Sequence, residues 1–355
     1  MKLLVGGSKS KLFHLQEFSR AISKYDIECK VVHDREIYAG FPSKKISDWF
    51  QTRKKFDELI SNFKPDLVLI DNPSSHFGLA TLKAKIPLVV HLRGDYWSEL
   101  KWAKETTYKT PHRRIALWYK NKIGKECLEK SIAILPLSNN LKKIVRKQFP
   151  KKILETMYQG INPSLWYPTE QMEIKHPSVG LLQDAIIWGK TKEMFILTEI
   201  LEKMPEITFY WAGDGPFRDE VLTRLNKYEN FHWLGRLSHP KQVREFLMSV
   251  DIYALISGFD TLGMTSQEAA LMKKPVLATK IGGIPESMQE NETGYLIEKG
   301  NFEQWIEKIS FLSNNKEKAE QMGEKGREFV ESKFTWDVVA KETASNLKKI
   351  LENQS

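Results

Sequence analysis

Two carboxylates, Asp260 and Glu268, are the residues whose spacing points most directly to chemistry. They lie in the segment SGFDTLGMTSQEAALMKKPVLATKIGGIPE, residues 257–286, with seven residues between them. A step of eight residues is about two and a quarter helical turns, so we expect Asp260 in a loop and Glu268 within the helix that follows. The backbone N–H groups near Gly263 and Met264 would open that helix, and a helix N-terminus is a binding site for anions such as phosphate.

Two further stretches place polar or small residues where open α/β sheets bind ligands. His91 ends the apolar run PLVVH, and the residues after it bring Arg93 and Asp95 to the same edge; a structural histidine that caps its strand is the alternative. The pair Gly6 and Gly7 closes the first apolar run as a turn. It lacks the G-x-G-x-x-G spacing of dinucleotide-binding folds, which disfavours a dehydrogenase.

Short apolar runs alternate with amphipathic stretches along the chain, a pattern typical of parallel sheets covered by helices on both faces. The predicted strands are residues 2–5, 29–33, 66–71, 87–91 and 131–135, then 178–182, 206–212, 230–235, 251–256, 275–279 and 294–297. Between the two sets, the segment YQGINPSLWYP, residues 158–168, interrupts the pattern with a glycine and two prolines. We also expect helices over residues 46–63 and about 336–351.

The composition is that of a soluble globular protein with two domains of ordinary size: 355 residues, 41% hydrophobic and 28% charged. No run approaches about eighteen apolar residues, and the start, MKLLVGGSKSKLF, lacks the long apolar core of a signal peptide. Cys29 and Cys127 form no metal or redox spacing. We therefore expect a cytoplasmic protein with reduced cysteines.

Positive charge is concentrated in the first half of the chain. Residues 1–168 hold 31 Lys and Arg against 16 Asp and Glu, the remainder holds 23 against 29, and residues 101–152 hold 15 against 3. Tryptophans and tyrosines lie among the cations of this last block. It suits an anionic membrane surface first, a solvated face next and, because no RNA-binding motif is present, single-stranded nucleic acid last.

These segments resemble the retaining glycosyltransferases of family four, which have the GT-B fold. The family's donor motif reads E-G-F-G-L-x-x-x-E, followed by G-G-x-x-E; here it stands as DTLGMTSQE, residues 260–268, and GGIPE, residues 282–286. The segments WAGDGP, FHWLGRLS and 158–168 resemble further family motifs, so the likeness is strong in the second half and weak in the first. The family's phosphate-binding Arg falls on Leu181, which is the largest departure.

The resemblance implies two Rossmann-like, doubly wound domains facing a central cleft. Residues 1–165 would form the acceptor-side domain and residues 166–335 the nucleotide-sugar-binding domain. The last residues, 336–355, would form a helix that packs back on the first domain.

The resemblance also implies roles for individual residues. His91 and Asp260 would contact hydroxyls of the donor sugar, and Glu268 would accept hydrogen bonds from the ribose. Lys190 and Lys192 would together replace the missing Arg at the diphosphate; a weakened donor site is the alternative. The remaining donor contacts would come from Gly6, Gly7, Gly263 and Met264, and the acceptor side would be shaped by Arg93 and Asp95.

The implied function is transfer of a sugar from a UDP- or GDP-linked donor to an acceptor hydroxyl, with retention of configuration and without a cofactor or a metal. A lipid-linked or cell-envelope glycan acceptor would suit a basic first domain that rests on the inner face of a membrane, and no nucleic acid partner is expected. Two alternatives stay open. One is a GT-B sugar-nucleotide epimerase, and the other is a sugar-nucleotide-binding module with weakened catalysis.

Overall fold

The computed structural model describes residues 1–33 and 54–353, which fall into two compact units. The first unit comprises Met1–Ile161 with Trp336–Ser355, and the second comprises Asn162–Thr335. Each unit is built on a six-stranded parallel sheet flanked by helices. The two sheets confirm the expectation of two doubly wound α/β domains.

The first unit has the strand order β2-β1-β3-β4-β5-β6. Its strands are β1 (Lys2–Gly7), β2 (Glu28–His33), β3 (Leu67–Ile70), β4 (Leu88–Leu92), β5 (Ala133–Pro136) and β6 (Ile153–Leu154). Its helices, in chain order, are α1 (Leu12–Ile22), α2 (Lys54–Phe63), α3 (His76–Lys83), α4 (Tyr96–Glu105), α5 (Pro111–Lys130) and α6 (Asn139–Gln148). The part of the predicted helix at residues 46–53 lies outside the described residues.

The second unit has the strand order β12-β11-β10-β7-β8-β9. Its strands are β7 (Ser178–Leu182), β8 (Thr208–Ala212), β9 (Phe231–Gly235), β10 (Ile252–Leu255), β11 (Val276–Thr279) and β12 (Gly294–Ile297). Its helices are α7 (Trp188–Thr191), α8 (Leu197–Lys203), α9 (Arg218–Leu225), α10 (Lys241–Ser249), α11 (Met264–Leu271), α12 (Phe302–Asn314) and α13 (Lys316–Lys333). Single 3₁₀ turns add Lys9–Lys11, Ser23–Tyr25, Pro163–Leu165, Lys192–Ile196 and Ile284–Glu286.

Most of the strands have continuously apolar sequences; β2, with the sequence ECKVVH, is the clearest exception. All residues of β3, β5, β8, β10 and β11 are buried, as expected where helices cover both faces of a parallel sheet. The two-residue strand β6 was not predicted, because so short a run has no period to detect. None of the helices in residues 1–33 and 54–353 is both long and apolar enough to cross a bilayer.

The last helix, α14 (Trp336–Glu352), belongs to the first unit, as the sequence analysis expected. Its buried side chains join the core formed by β1, β3 and α1. The Trp336 ring lies 6.0 Å from that of Phe18, and it occupies the space where Gly160 would carry a Cβ atom. A chain that leaves the second unit at Thr335 thus completes the core of the first.

Candidate functional site

The loop after β10 holds Asp260 in a fixed position. Oδ1 of its carboxylate accepts hydrogen bonds from the backbone N–H groups of Leu262, at 3.1 Å, and Gly263, at 2.7 Å. Oδ2 accepts one from the Nζ atom of Lys190 on α7, at 2.7 Å. Both carboxylate oxygens are therefore engaged within the protein.

The ion pair between Asp260 and Lys190 lies mostly out of water, because the two side chains are 13% and 23% exposed. Burial acts to raise the pKa of Asp260. The charge and hydrogen bond of Lys190 and the two backbone N–H groups outweigh it, so the pKa lies below its usual value. The sequence analysis predicted that Asp260 contacts a hydroxyl of the donor sugar and that Lys190 contacts the diphosphate. The structure brings these two side chains together.

Glycines make this arrangement possible. Gly263 is the N-cap of α11 with φ at 74°, in the left-handed region that favours glycine, and the helix begins at Met264. Gly282, in the predicted G-G turn, has φ at 56°, and a Cβ atom on it would lie 1.9 Å from the backbone oxygen of Asp260. The G-G turn therefore packs directly on the Asp260 loop.

Glu268 lies in α11, one turn beyond its start, beside a cavity of about 250 Å³. The Nε2–H group of His239 donates a hydrogen bond of 3.0 Å to Oε1 of this carboxylate. The hydrogen bond to Glu268 raises the pKa of His239 above its ordinary value, although partial burial opposes the shift. Sequence reasoning missed His239, although it directly follows the segment FHWLGRLS.

The cavity lies where β7, β8 and β9 end, at the carboxyl edge of the second sheet, which is where open α/β sheets bind ligands. Its walls are Leu182, Gln183, Asp184, Ala212, Gly213, Arg236, Leu237, His239, Val243, Thr265 and Glu268. Gln183 is 4% exposed, and within the described part of the chain its Oε1 atom has no hydrogen-bond partner. A buried acceptor without a partner costs free energy, so a donor from a bound ligand or a water would stabilise this wall.

The other positions considered for a phosphate-binding cation are Leu181, Lys192 and Lys299. Leu181, at the position of the family's Arg, is completely buried in the core. Lys192 is exposed and begins the 3₁₀ turn that follows α7. Lys299, which no sequence motif indicated, donates from Nζ to the backbone oxygen of Gly258, 3.3 Å away, in the same loop as Asp260.

In the first unit, Gly6 and Gly7 lie inside β1, and the prediction of a turn there was wrong. Both residues pair with β2, and Gly6 also pairs with β3. A Cβ atom on Gly6 would lie 2.5 Å from the ring of Phe77, and one on Gly7 would lie 2.2 Å from the side chain of Leu15. These side chains fill the space that the glycines leave, so close packing explains both.

His91 lies in β4 and is 2% exposed. Its Nε2–H group donates to the backbone oxygen of Met157, at 3.1 Å, and its Nδ1 atom lies 3.4 Å from Oδ1 of Asp71. Arg93 donates to the same Asp71 oxygen at 3.4 Å. Burial acts to raise the pKa of Asp71, but His91, Arg93 and Lys11 together lower it.

This cluster gathers titratable groups at the carboxyl edge of the first sheet. Asp71 follows β3 directly, a position that could have indicated it from the sequence. Asp95 serves a different purpose, because it is the N-cap of α4. Its Oδ1 atom accepts from the backbone N–H of Ser98 at 3.3 Å, and Oδ2 accepts from the Ser98 hydroxyl at 2.6 Å. The loop between β4 and α4 is therefore held by Arg93 at one end and by the Asp95 cap at the other.

Two family profiles match the chain. The profile described as Glycosyltransferase Family 4 covers residues 14–165, and the profile described as Glycosyl transferases group 1 covers residues 190–329. Together they take in most of both units.

Individual relatives and structures agree with these profiles. Spore coat protein SA of Bacillus subtilis is 24% identical over 64% of this chain and 67% of its own length. N-acetyl-alpha-D-glucosaminyl L-malate synthase of Bacillus anthracis is 28% identical over 52% of this chain and 51% of its own. Alignments with the curated relatives span 29% to 67% of those proteins. The crystal structure of Anabaena HepE in complex with UDP superimposes with a TM-score of 0.67 at 15% identity, over 98% of this chain and 100% of that one.

Proposed function

Because this chain belongs to the GT-B glycosyltransferases of family 4 and group 1, we propose that it transfers a sugar from a nucleoside diphosphate donor to an acceptor hydroxyl with retention of configuration. The observation that supports this most directly is the cavity of about 250 Å³ at the carboxyl edge of the second sheet. Glu268 lines this cavity on the helix whose N-terminus is Gly263. A carboxylate that can accept from ribose hydroxyls thus lies on a helix that can receive phosphate.

The donor would be held by contributions of different kinds. The ribose would donate to Glu268, and the backbone of residues 234–237 would border the base. The diphosphate would lie at the N-terminus of α11, near Met264, with Lys190 as its cation. Developing negative charge on the leaving diphosphate would be stabilised by these preorganised groups, and we propose no metal or cofactor for this step. UDP in HepE makes uridine diphosphate sugars the first donors to test.

Asp260 acts on the donor through Lys190 in this proposal. Its two oxygens accept three hydrogen bonds, and because a carboxylate can accept about four, Oδ2 could still accept one from a sugar hydroxyl. Lys192, exposed just beyond α7, would add positive charge for the diphosphate beside that of Lys190. Lys299 is a second candidate cation, since its ammonium group lies beside the Asp260 loop.

The acceptor side would be formed by the first unit. We propose that His91 and Arg93, braced by Asp71, form the part of the acceptor-side edge that meets the transferred sugar. Asp95 would keep this loop in place as the cap of α4. Gly6 and Gly7 would contribute to this side of the site only through close packing, which positions β1 beside β3.

The alternatives predict different measurements. An epimerase would need an added acid–base pair for proton abstraction, and it would convert one sugar nucleotide into another without any acceptor. A binding module would bind nucleotide without transferring sugar. Calorimetric titration with UDP and GDP, followed by assays of transfer and of donor epimerisation, separates the three functions.

The role of Glu268 is tested by Glu268→Ala. Loss of one or two charge-assisted hydrogen bonds should raise the nucleotide Kd about 10- to 100-fold. Glu320→Ala, which removes an exposed carboxylate from α13, is the matched control and should leave Kd unchanged. Unchanged affinity in a folded Glu268→Ala protein would remove this residue from the site and refute the proposed nucleotide cavity.

We further propose that the first unit binds an anionic membrane and that the acceptor is a lipid-linked or cell-envelope glycan. The first half of α5 projects two large apolar side chains, Ile115 at 68% and Trp118 at 61% exposure. Exposed cations surround them: Arg113 and Arg114 precede Ile115, and the Lys122 ammonium lies 5.6 Å from the Trp118 ring. Apolar side chains flanked by cations are typical of interfacial helices.

Each Lys or Arg near an anionic leaflet is worth about 1 kcal/mol, so this surface should bind anionic vesicles reversibly and release them at high salt. Charge reversal at Arg113 and Arg114 should abolish flotation with phosphatidylglycerol vesicles, and Trp118→Ala should weaken it. Reversal at Lys227 and Lys316, exposed cations of the second unit, is the control and should change little. Equal flotation with neutral and anionic vesicles would contradict the proposal and leave the basic block a solvated face.

A further inference from the structure

The pairing of His239 with Glu268 is not explained by packing alone. Glu268 is 9% exposed, and a carboxylate so far removed from water needs a donor. His239 supplies it through Nε2, at 3.0 Å, and remains partly open to solvent, with a side chain that is 41% exposed. Both residues line the same cavity. The imidazole can therefore exchange protons with water while it holds a group inside the proposed nucleotide site.

The ring of His239 is itself held in place. It packs edge-on against Trp166, with ring centroids 5.6 Å apart, and Trp166 is 1% exposed. The backbone oxygen of Trp166 accepts a hydrogen bond of 2.9 Å from Arg327. This contact with a buried tryptophan holds the ring with its Nε2 atom directed at Glu268.

We propose that His239 is a positioning residue of the nucleotide site, which orients the Glu268 carboxylate for the ribose and makes nucleotide affinity depend on pH. This inference rests on the proposed function of the cavity. Protonated His239 adds a positive charge beside a site for an anionic ligand and keeps Glu268 in one orientation. When the imidazole loses its proton, the charge is lost and the hydrogen bond weakens, so affinity should fall as pH rises through the pKa of His239.

Other charged groups lie on the elements around this imidazole. Glu268 approaches from α11, and Arg236 and Asp184 lie in the cavity wall. Arg244, on α10, lies over the ring of Tyr167, next to Trp166. Among these types of side chain, imidazole is the one that ordinarily changes charge near neutral pH.

The test measures binding of UDP-, GDP-, ADP-, CDP- and dTDP-sugars by calorimetry between about pH 6 and pH 8.5, a range in which imidazole titrates. Sugar nucleotides are suitable because their diphosphate is a diester and does not change charge over this range. We expect the wild-type Kd to rise about 3- to 10-fold from the low to the high end. His239→Gln keeps a donor that cannot titrate and should give a flat profile. His239→Phe keeps the packing on Trp166 without a donor and should bind more weakly, with a flat profile.

His176→Gln is the matched control. His176 also pairs with a carboxylate, Asp251, at 2.8 Å, but it lies just before β7, at the opposite edge of the sheet. This variant should keep the wild-type profile. Equal slopes in wild type and in both His239 variants would overturn the inference while leaving the nucleotide site intact. Absence of binding to every sugar nucleotide would overturn the proposed function and the inference together.

Discussion

The ion pair between Lys190 and Asp260 leads to the prediction that most directly tests the donor site. Asp260→Asn removes the negative charge but keeps an oxygen that can accept from the N–H groups of Leu262 and Gly263. The amide nitrogen would then face the ammonium of Lys190. We expect a folded protein whose second unit is less stable and whose Lys190 side chain has lost its orientation.

The size of the effect follows from burial. Breaking a fully buried ion pair costs about 3 to 5 kcal/mol, because the remaining charge is left without a partner. These side chains are 13% and 23% exposed, so water reaches part of the pair and about 2 to 3 kcal/mol is the better expectation. Lys190→Met removes the cation and should cost a similar amount. Because each single variant breaks the same pair, the double variant should be no more than about 1 kcal/mol less stable than either.

Urea unfolding of the wild type, the two single variants and the double variant measures this coupling. Lys316→Met is the control: its side chain is exposed, and the change should stay within about 0.5 kcal/mol. In titrations, Lys190→Met should weaken binding of UDP much more than binding of uridine, which has no phosphate, and Lys316→Met should affect neither. Additive losses in the double variant would refute the coupling. Equal weakening of both ligands would show that Lys190 does not contact the diphosphate.

Three further predictions test other parts of the structure. Gly282→Ala should destabilise the second unit by more than about 2 kcal/mol and weaken nucleotide binding. The control is Gly300→Ala, with φ at 78° but open space around it, which should cost only about 1 kcal/mol and leave binding unchanged. Equal losses of stability would contradict the contact between Gly282 and Asp260. Burial acts to raise the pKa of Asp251, but hydrogen bonds from His176 and Ser178 lower it below its usual value. The carboxylate should therefore contribute stability that is present above its unfolded pKa and lost as pH falls through its folded pKa. In urea unfolding, Asp251→Asn should destabilise the protein at neutral pH and much less in acid. Trp336→Ala should cost about 3 to 5 kcal/mol by leaving a cavity against Phe18 and Gly160, while Lys341→Ala, exposed on the same helix, should cost little in thermal unfolding.

The sequence predicted the strands well because strands buried on both faces are continuously apolar, and such runs are visible without any knowledge of their neighbours. It also predicted the loop and helix that carry Asp260 and Glu268. It failed at Gly6 and Gly7, which were predicted as a turn. The rings and methyl groups that require glycine there, from Phe77 and Leu15, are distant in the sequence and meet the strand only in the folded unit.

The contacts at the candidate site could not be predicted from the sequence for the same reason. Lys190 and Asp260 are 70 residues apart, and His239 and Glu268 are 29 apart. Only the order β10-β7-β8-β9 brings their loops to one edge of the sheet.

This placement changes how the missing Arg at Leu181 is understood. A site that needed two cations would be weakened by that loss. In the free protein Lys190 is already balanced by Asp260, so a diphosphate would have to attract this ammonium away from a carboxylate. In the proposed donor site, binding would therefore exchange one anionic partner of Lys190 for another. Such an exchange would limit affinity, because Lys190 would have to leave Asp260 before it could pair with the diphosphate.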